Sequence, residues 1–165
     1  MLVACFGSAQ YKCTDNRLSK PFNPILGETF ELVGPEYTYF AEQVLHHPPV
    51  SACIGESKHY TYHMDTNTKM SISIRGRLDA IPIGYQHIRL KTTGEHYIIG
   101  RPNTCVGNLL FGTMYLEHVG TMFVKNCTTG HVCSLEFKSA GWTGTDKHVV
   151  QGAVYASEQE SKNRG

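Results

Sequence analysis

The sequence predicts a mainly β protein, an antiparallel barrel or sandwich, and three observations carry that reading. Short runs rich in β-branched and aromatic residues recur along the chain. Turn signals built on Gly, Pro, Asn and Asp separate them at intervals of roughly ten residues. Several runs alternate apolar and polar side chains with a period of two, the mark of a half-buried strand. The chain shows no heptad, internal repeat or low-complexity linker. Its 165 residues suit one domain with a sizeable core.

The elements follow in order. Leu2, Cys5 and Phe6 could form one face of a short N-terminal helical remnant, and Cys13 to Ser19 is polar and turn-like. Residues 1–18 therefore read as helix and loop, and 19–156 as strands. Glu28 to Val33 and Tyr37 to Val44 flank Gly34-Pro35 and read as a hairpin. Val50 to Ile54 is a strand, and Gly55-Glu56-Ser57-Lys58 is expected to turn it. His59 to Met64 alternates, with Tyr60, Tyr62 and Met64 on one side. Asp65 to Thr68 turns the chain into a run where Met70, Ile72 and Ile74 alternate with polar residues. Gly76 and Pro82-Ile83-Gly84 interrupt that run. Gln86 to Lys91 is a strand, and Thr93-Gly94-Glu95 leads to another at His96 to Ile99.

Gly100 to Asn103 reads as a loop, and Leu109 to Glu117 as a strand broken by Gly112. His118-Val119-Gly120 is expected to turn the chain. Met122 to Val124 and Val132 to Phe137 flank Asn126-Cys127-Thr128-Thr129-Gly130, a hairpin loop ending in glycine. Gly141 to Lys147 is polar and holds Trp142, the single tryptophan. Val149 to Ala156 is the last strand, and 157–165 reads as a charged, frayed tail.

Composition excludes several function classes. Net charge is +1, with Lys and Arg scattered rather than clustered, which argues against nucleic-acid binding and against purely electrostatic membrane adsorption. No apolar run is long enough to span a bilayer. Met1 to Phe6 is apolar but short and lacks a basic leader, so no signal peptide is read. Cysteines stand at 5, 13, 53, 105, 127 and 133 with no compact framework spacing and no CxxC pair. They read as reduced thiols in a cytosolic setting, buried as small hydrophobes. Neither GxSxG, nor a P-loop, nor HExxH is present, so no enzyme and no cofactor is expected.

Two proline-flanked segments carry the chemistry. Lys20-Pro21-Phe22-Asn23-Pro24 sets a cation and an amide among prolines, and His46-His47-Pro48-Pro49 sets two imidazoles before two more. Each proline fixes its own φ and restricts the residue before it, so these side chains start from backbone with little freedom. Donors positioned in advance bind an anion at low ordering cost. Antiparallel pairing of the hairpin would bring Lys20, Asn23, His46 and His47 together, and the natural ligand of that cluster is a phosphate. The histidine pair has no third ligand at a recognisable spacing, so no metal is expected.

The same residues carry a family resemblance. KPFNPILGETFEL followed by EQVLHHPPVSA resembles the oxysterol-binding-protein-related lipid-transfer domain, with Leu45 where that family usually has Ser. Asn103 to Asn108 is similar to its CVHN segment, with Gly107 in place of His, and Met1 to Arg17 is similar to the helix and loop before KPFNP. Most of the chain resembles the family, yet the match covers under half of the family's lipid-binding domain. It reads as a partial domain, 1–165, from a truncated product, a fragment or an incomplete gene model. The resemblance implies part of an antiparallel β-barrel around an apolar tunnel. It implies that Lys20, Asn23, His46 and His47 hold the headgroup of phosphatidylinositol 4-phosphate at the tunnel mouth. Gly27, Glu28, Glu42, Gln43, Pro48 and Pro49 are then supporting residues, Glu28 by ionic hydrogen bonds to the lysine or histidines. The second ligand is a sterol or another phospholipid. Transfer between membranes requires transient contact with a membrane surface and a cytoplasmic, peripherally associated location. Phe30, Tyr37, Tyr39 and Phe40 are core or tunnel wall. The alternative is a small β-domain acting as a protein-interaction module with a rigid His-Pro loop. A weaker third reading, a histidine-dependent hydrolase, lacks a nucleophile.

Overall fold

The computed structural model describes residues 9, 11, 22–74, 76–140 and 149–164. The strands are β1 (Thr29–Val33), β2 (Tyr37–Leu45), β3 (Val50–Ser57), β4 (Tyr60–Asp65), β5 (Thr68–Ile72) and β6 (Leu78–Pro82). They continue with β7 (Gln86–Leu90), β8 (His96–Gly100), β9 (Asn103–Gly107), β10 (Tyr115–Asn126), β11 (Val132–Phe137) and β12 (Val150–Tyr155). Helix α1 (Glu158–Arg164) follows. The expected N-terminal helical remnant, the turn at 13–19 and the Trp142 segment fall outside the described residues.

All strand pairs are antiparallel. The order is β1-β2-β3-β4-β7-β8-β10-β9-β6-β5, with β11 also on β10 and β12 on β11. β10 joins two parts of this sheet. Its first half, Tyr115 to Val119, pairs with β9, and its second half lies between β8 and β11. Among the described residues β1, β5 and β12 each pair on one side only, so the sheet does not close.

The first hairpin forms in the expected place, with Thr29 opposite Glu42 and Val33 opposite Thr38. Other boundaries differ from the sequence expectation. β3 runs through Gly55-Glu56-Ser57, and the turn falls on Lys58-His59 instead. The Ser57 hydroxyl holds it there, accepting the amides of His59 at 3.0 Å and Tyr60 at 3.1 Å. β6 and β9 are strands although their sequences, LDAIP and NTCVG, carry Asp, Pro, Asn and Gly. Pairing with each other, and with β5 and β10, overrides that weak local preference. Leu109 to Met114 is not strand, and His118-Val119-Gly120 is not a turn: β10 passes through it, bending at Gly120, where φ is +89°.

The charged C-terminal stretch is a helix rather than a frayed tail. Ser157 Oγ accepts the Glu160 amide at 3.2 Å, and Glu160 Oε2 accepts the Ala156 amide at 3.2 Å. This is close to the reciprocal capping of an S-x-x-E box. Glu158 bonds Lys125 of β10 at 2.8 Å and Lys162 at 2.9 Å, tying the helix to the sheet.

Register sorts the side chains onto two faces. Tyr62 lies across from Ile88, Gln86 from Ile99, Ile99 from Val124, and Met122 from Leu135. The core gathers on that face, from Ile88, Ile99, Met122, Val124, Cys133 and Phe137, with Tyr11, Tyr62, Leu90, Tyr97 and Leu135 packed against it. Ile99 and Met122 are wholly buried. The same face continues onto β1 and β2 as Phe30, Leu32, Tyr39 and Ala41, where Phe30 is 59% exposed.

Charged residues fasten β6, β9 and β10. Arg77 Nε bonds Asp79 Oδ1 at 2.7 Å, Nη2 donates to Cys105 Sγ at 2.9 Å, and Nη1 lies 3.6 Å from the buried Glu117 carboxylate. Burial, then the Asp79 hydrogen bond, pushes the Cys105 thiol up to about 12. Only the thiolate is nucleophilic, so Cys105 is a structural donor and acceptor rather than a reactive group.

Candidate functional site

His46, His47, Pro48 and Pro49 form the turn between β2 and β3, and all four are exposed. The imidazoles stand edge to face, 4.4 Å between centroids. The His47–Pro48 peptide is cis. One residue beneath fixes this turn. Gln43 is 2% exposed; its Nε2 donates to the Leu45 carbonyl at 2.9 Å, and its Oε1 accepts the Ser51 hydroxyl at 2.6 Å. The two contacts clamp the outgoing and returning arms. Ser51 is held in turn by Thr66, whose Oγ1 accepts the Ser51 amide at 2.7 Å and whose amide donates to the Ser51 carbonyl at 2.8 Å. Register slips between Gln43 and Leu45, leaving Val44 as the extra residue of a bulge. The bulge and the clamp together aim the histidines outward.

The Asn23 segment is tied to the same strand end. Gly27 donates to the Gln43 carbonyl at 2.9 Å, and the Gln43 amide donates to the Glu28 carbonyl at 3.0 Å. Glu28 Oε2 accepts the Ile25 amide at 2.9 Å, so this carboxylate closes its own turn. Gly27 has φ of +78°, the left-handed region that favours glycine. Asn23 is exposed and Pro24 half-buried just before this turn. Lys20 falls outside the described residues. Glu42 lies on the face opposite Gln43, across from Thr29 and Ala52.

Both departures from the motif have a visible setting. The Leu45 side chain is 45% exposed, and its backbone carbonyl, which any residue supplies, takes the Gln43 bond. Gly107 lies opposite Tyr115, whose ring would overlap any Cβ placed there. The aromatic ring fills the space that a side chain at 107 would need.

Beneath the turn the apolar face carries polar handles that sequence reading did not single out. Tyr39, Cys53 and Tyr62 stand near one another, and Tyr62 Oη donates to Met64 Sδ at 2.8 Å. Burial, then the Cys53 hydrogen bond, pushes Tyr39 up to about 12; burial raises Tyr62 as well. Ser51 and Thr66 were also unsignalled, since an isolated Ser or Thr looks alike in any turn or strand. Among the described residues no group of three or more His, Cys, Asp or Glu is placed to hold a metal ion. No helix among them is long and apolar enough to cross a membrane.

Comparison with known proteins gives a consistent result. The family model described as oxysterol-binding protein matches residues 1–164. The chain is 33% identical over 166 residues to human oxysterol-binding protein-related protein 3, covering 98% of this chain and 19% of that protein. The Osh1 ORD domain, solved in complex with cholesterol, superposes with a TM-score of 0.82 at 33% identity, over 93% of this chain and 37% of that one. The Osh3 ORD of Saccharomyces cerevisiae, solved in complex with PI(4)P, gives 0.82 at 27% identity, over 92% and 42%. The chain thus spans only a minor part of each relative's length.

Proposed function

The chain belongs to the oxysterol-binding protein family, and from that premise we propose that it supplies the headgroup end and one wall of a lipid-transfer module. Lys20, Asn23, His46 and His47 hold the phosphate of phosphatidylinositol 4-phosphate. The apolar face of β1–β4, β7, β8 and β10 takes the hydrocarbon of that lipid or of a sterol. One observation supports this most: the buried Gln43 holds two exposed imidazoles at the rim of an apolar sheet face.

The physics of transfer needs no covalent step. Moving hydrocarbon from bilayer to protein costs little when an apolar wall replaces the acyl chains, at about 0.8 kcal/mol per CH₂ kept from water. The phosphate must likewise exchange water for fixed donors. Imidazole N–H groups, the Asn23 amide and the Lys20 ammonium all donate and none repels an anion. Each charge-assisted hydrogen bond contributes roughly 1.5–3 kcal/mol. With strands unpaired on one side among the described residues, and Phe30 and Leu32 exposed on the apolar face, the wall needs further strands to enclose a lipid. Extraction and delivery then take place at membrane surfaces facing the cytoplasm.

The test is extraction of labelled phosphatidylinositol 4-phosphate from liposomes. It uses this chain alone and a chimera in which it replaces the corresponding segment of the Osh3 domain. Circular dichroism confirms that each folds. The chimera is expected to extract the lipid and the chain alone to extract little. His46→Ala/His47→Ala in the chimera is expected to cut extraction at least tenfold with the fold intact. Equal extraction by that variant, or none by a folded chimera, would refute the assignment.

A further inference from the structure

We propose that His63, His87 and His96 form a proton-operated latch across β4, β7 and β8, closed when neutral and released by acid. This is independent of the lipid reading, because the three rings lie on the face opposite the core. Register places them there: His63 is directly across from His87, and His87 is diagonal to His96, which lies across from Arg89.

The geometry ties the rings together. His63 and His87 are stacked, 4.5 Å between centroids and 10° between planes. His87 and His96 are stacked at 5.3 Å and 21°, and His87 Nδ1 lies 3.1 Å from His96 Nε2. That contact needs one N–H and one lone pair, so the two nitrogens share a single proton. A second proton would turn two N–H groups on each other and break the bond. A charge on His63 would sit over the face of His87 and oppose any charge there. The three central strands of the sheet are thus joined by stacked rings, and the His87–His96 contact holds a single proton.

The surroundings strengthen this. Arg89 on β7 adds a positive charge on the same face, and Asp65 on β4 supplies a negative one. On β3, Ile54 is opposite His63, and Glu56 is engaged by Lys91. On β10, Lys125 lies opposite Ile98, next to His96 on that face of β8, and is paired with Glu158. Beyond β8, Thr128 Oγ1 accepts the His96 amide, and Cys127 donates its amide to the His96 carbonyl. Glu95 faces away and is held by Thr93 and Asn126. Burial, then the charges of His63, His96 and Arg89, holds His87 below the ordinary imidazole range, with Asp65 opposing. Burial, then Arg89 and His63, does the same to His96.

The sign follows from linkage. The unfolded chain takes up these protons more readily than the folded one. The stability contributed by His87 and His96 is therefore complete above their unfolded value, about 6.5, and is lost as pH falls through the lower folded values.

Two-bond 1H–15N NMR on the full chain would follow each ring from about pH 8 to 5, with urea midpoints measured at each pH. At the alkaline end only one of the two facing nitrogens should carry a proton. His87 and His96 should titrate below about 6.5 in separate steps. The urea midpoint should fall over the same range. His96→Gln should raise the His87 titration point and remove roughly half of the acid-side fall. Should a variant fail to fold, the wild-type titration decides. Both rings titrating together at or above about 6.5, or a midpoint that is flat across that range, would overturn the latch.

Discussion

Removing the Gln43 side chain would leave the Ser51 hydroxyl and the Leu45 carbonyl without their partner inside the β2–β3 turn. Both bonds are part-buried, and a hydrogen bond of this kind contributes about 0.5–1.5 kcal/mol. Gln43→Ala should therefore lower the urea midpoint and also weaken phosphoinositide extraction, although Gln43 is buried beneath the exposed histidines. Denaturation and extraction measured together would check this; a stable variant with normal extraction would remove the clamp from the account. Leu45→Ser should change neither by much, because what matters at position 45 is a backbone carbonyl. At this scale the sequence was legible in part. The histidines and Asn23 stood out through their prolines, and Gln43 through the motif around it. Its function as a clamp did not, because it depends on Ser51 eight residues away and on Thr66 beyond that. The described bond of Glu28 is to the Ile25 amide, and Lys20, which it was expected to hold along with or instead of the histidines, lies outside the described residues.

The β9–β10 pair shows what an element can and cannot tolerate. Tyr115 lies flat over Gly107, so Gly107→His should force the ring aside and cost about 1–3 kcal/mol, as overpacking does. Thermal melting would show it; an unchanged midpoint would mean that Tyr115 has another place to go. Elements with strong local signals were legible: the first hairpin, the alternating β4 and β7, and the loop before β11. β6 and β9 were not, since their stability comes from neighbours rather than from their own residues. The continuity of β10 was hidden by Gly120, which reads as a turn but serves as a bend inside a strand. The C-terminal helix was readable from Ser157 and Glu160, whose spacing is a start signal, but the density of charge concealed it.

For the whole molecule, the β class followed from period and turn spacing, but not which face turns inward. That depends on cross-strand register, which places Ile99 of β8 beside Met122 and Val124 of β10, residues over twenty positions further along. Met122→Ala should cost about 2–5 kcal/mol, since the wholly buried site leaves a cavity; chemical denaturation would measure it, and a loss under about 1 kcal/mol would mean the face can collapse around the gap.

The strand order also has a consequence in time. β4 and β7 are neighbours in the sheet, but β5 and β6 intervene in the chain and, among the described residues, find their one outside partner in β9. As the polypeptide leaves the ribosome, the first four strands can assemble as a meander from local contacts. The β5–β6 hairpin must then wait, with the outer edge of β6 unpaired, until β7, β8 and β9 have been synthesised. Translation speed across residues 83–107 therefore sets how long that hairpin stays exposed to misassembly and to chaperones.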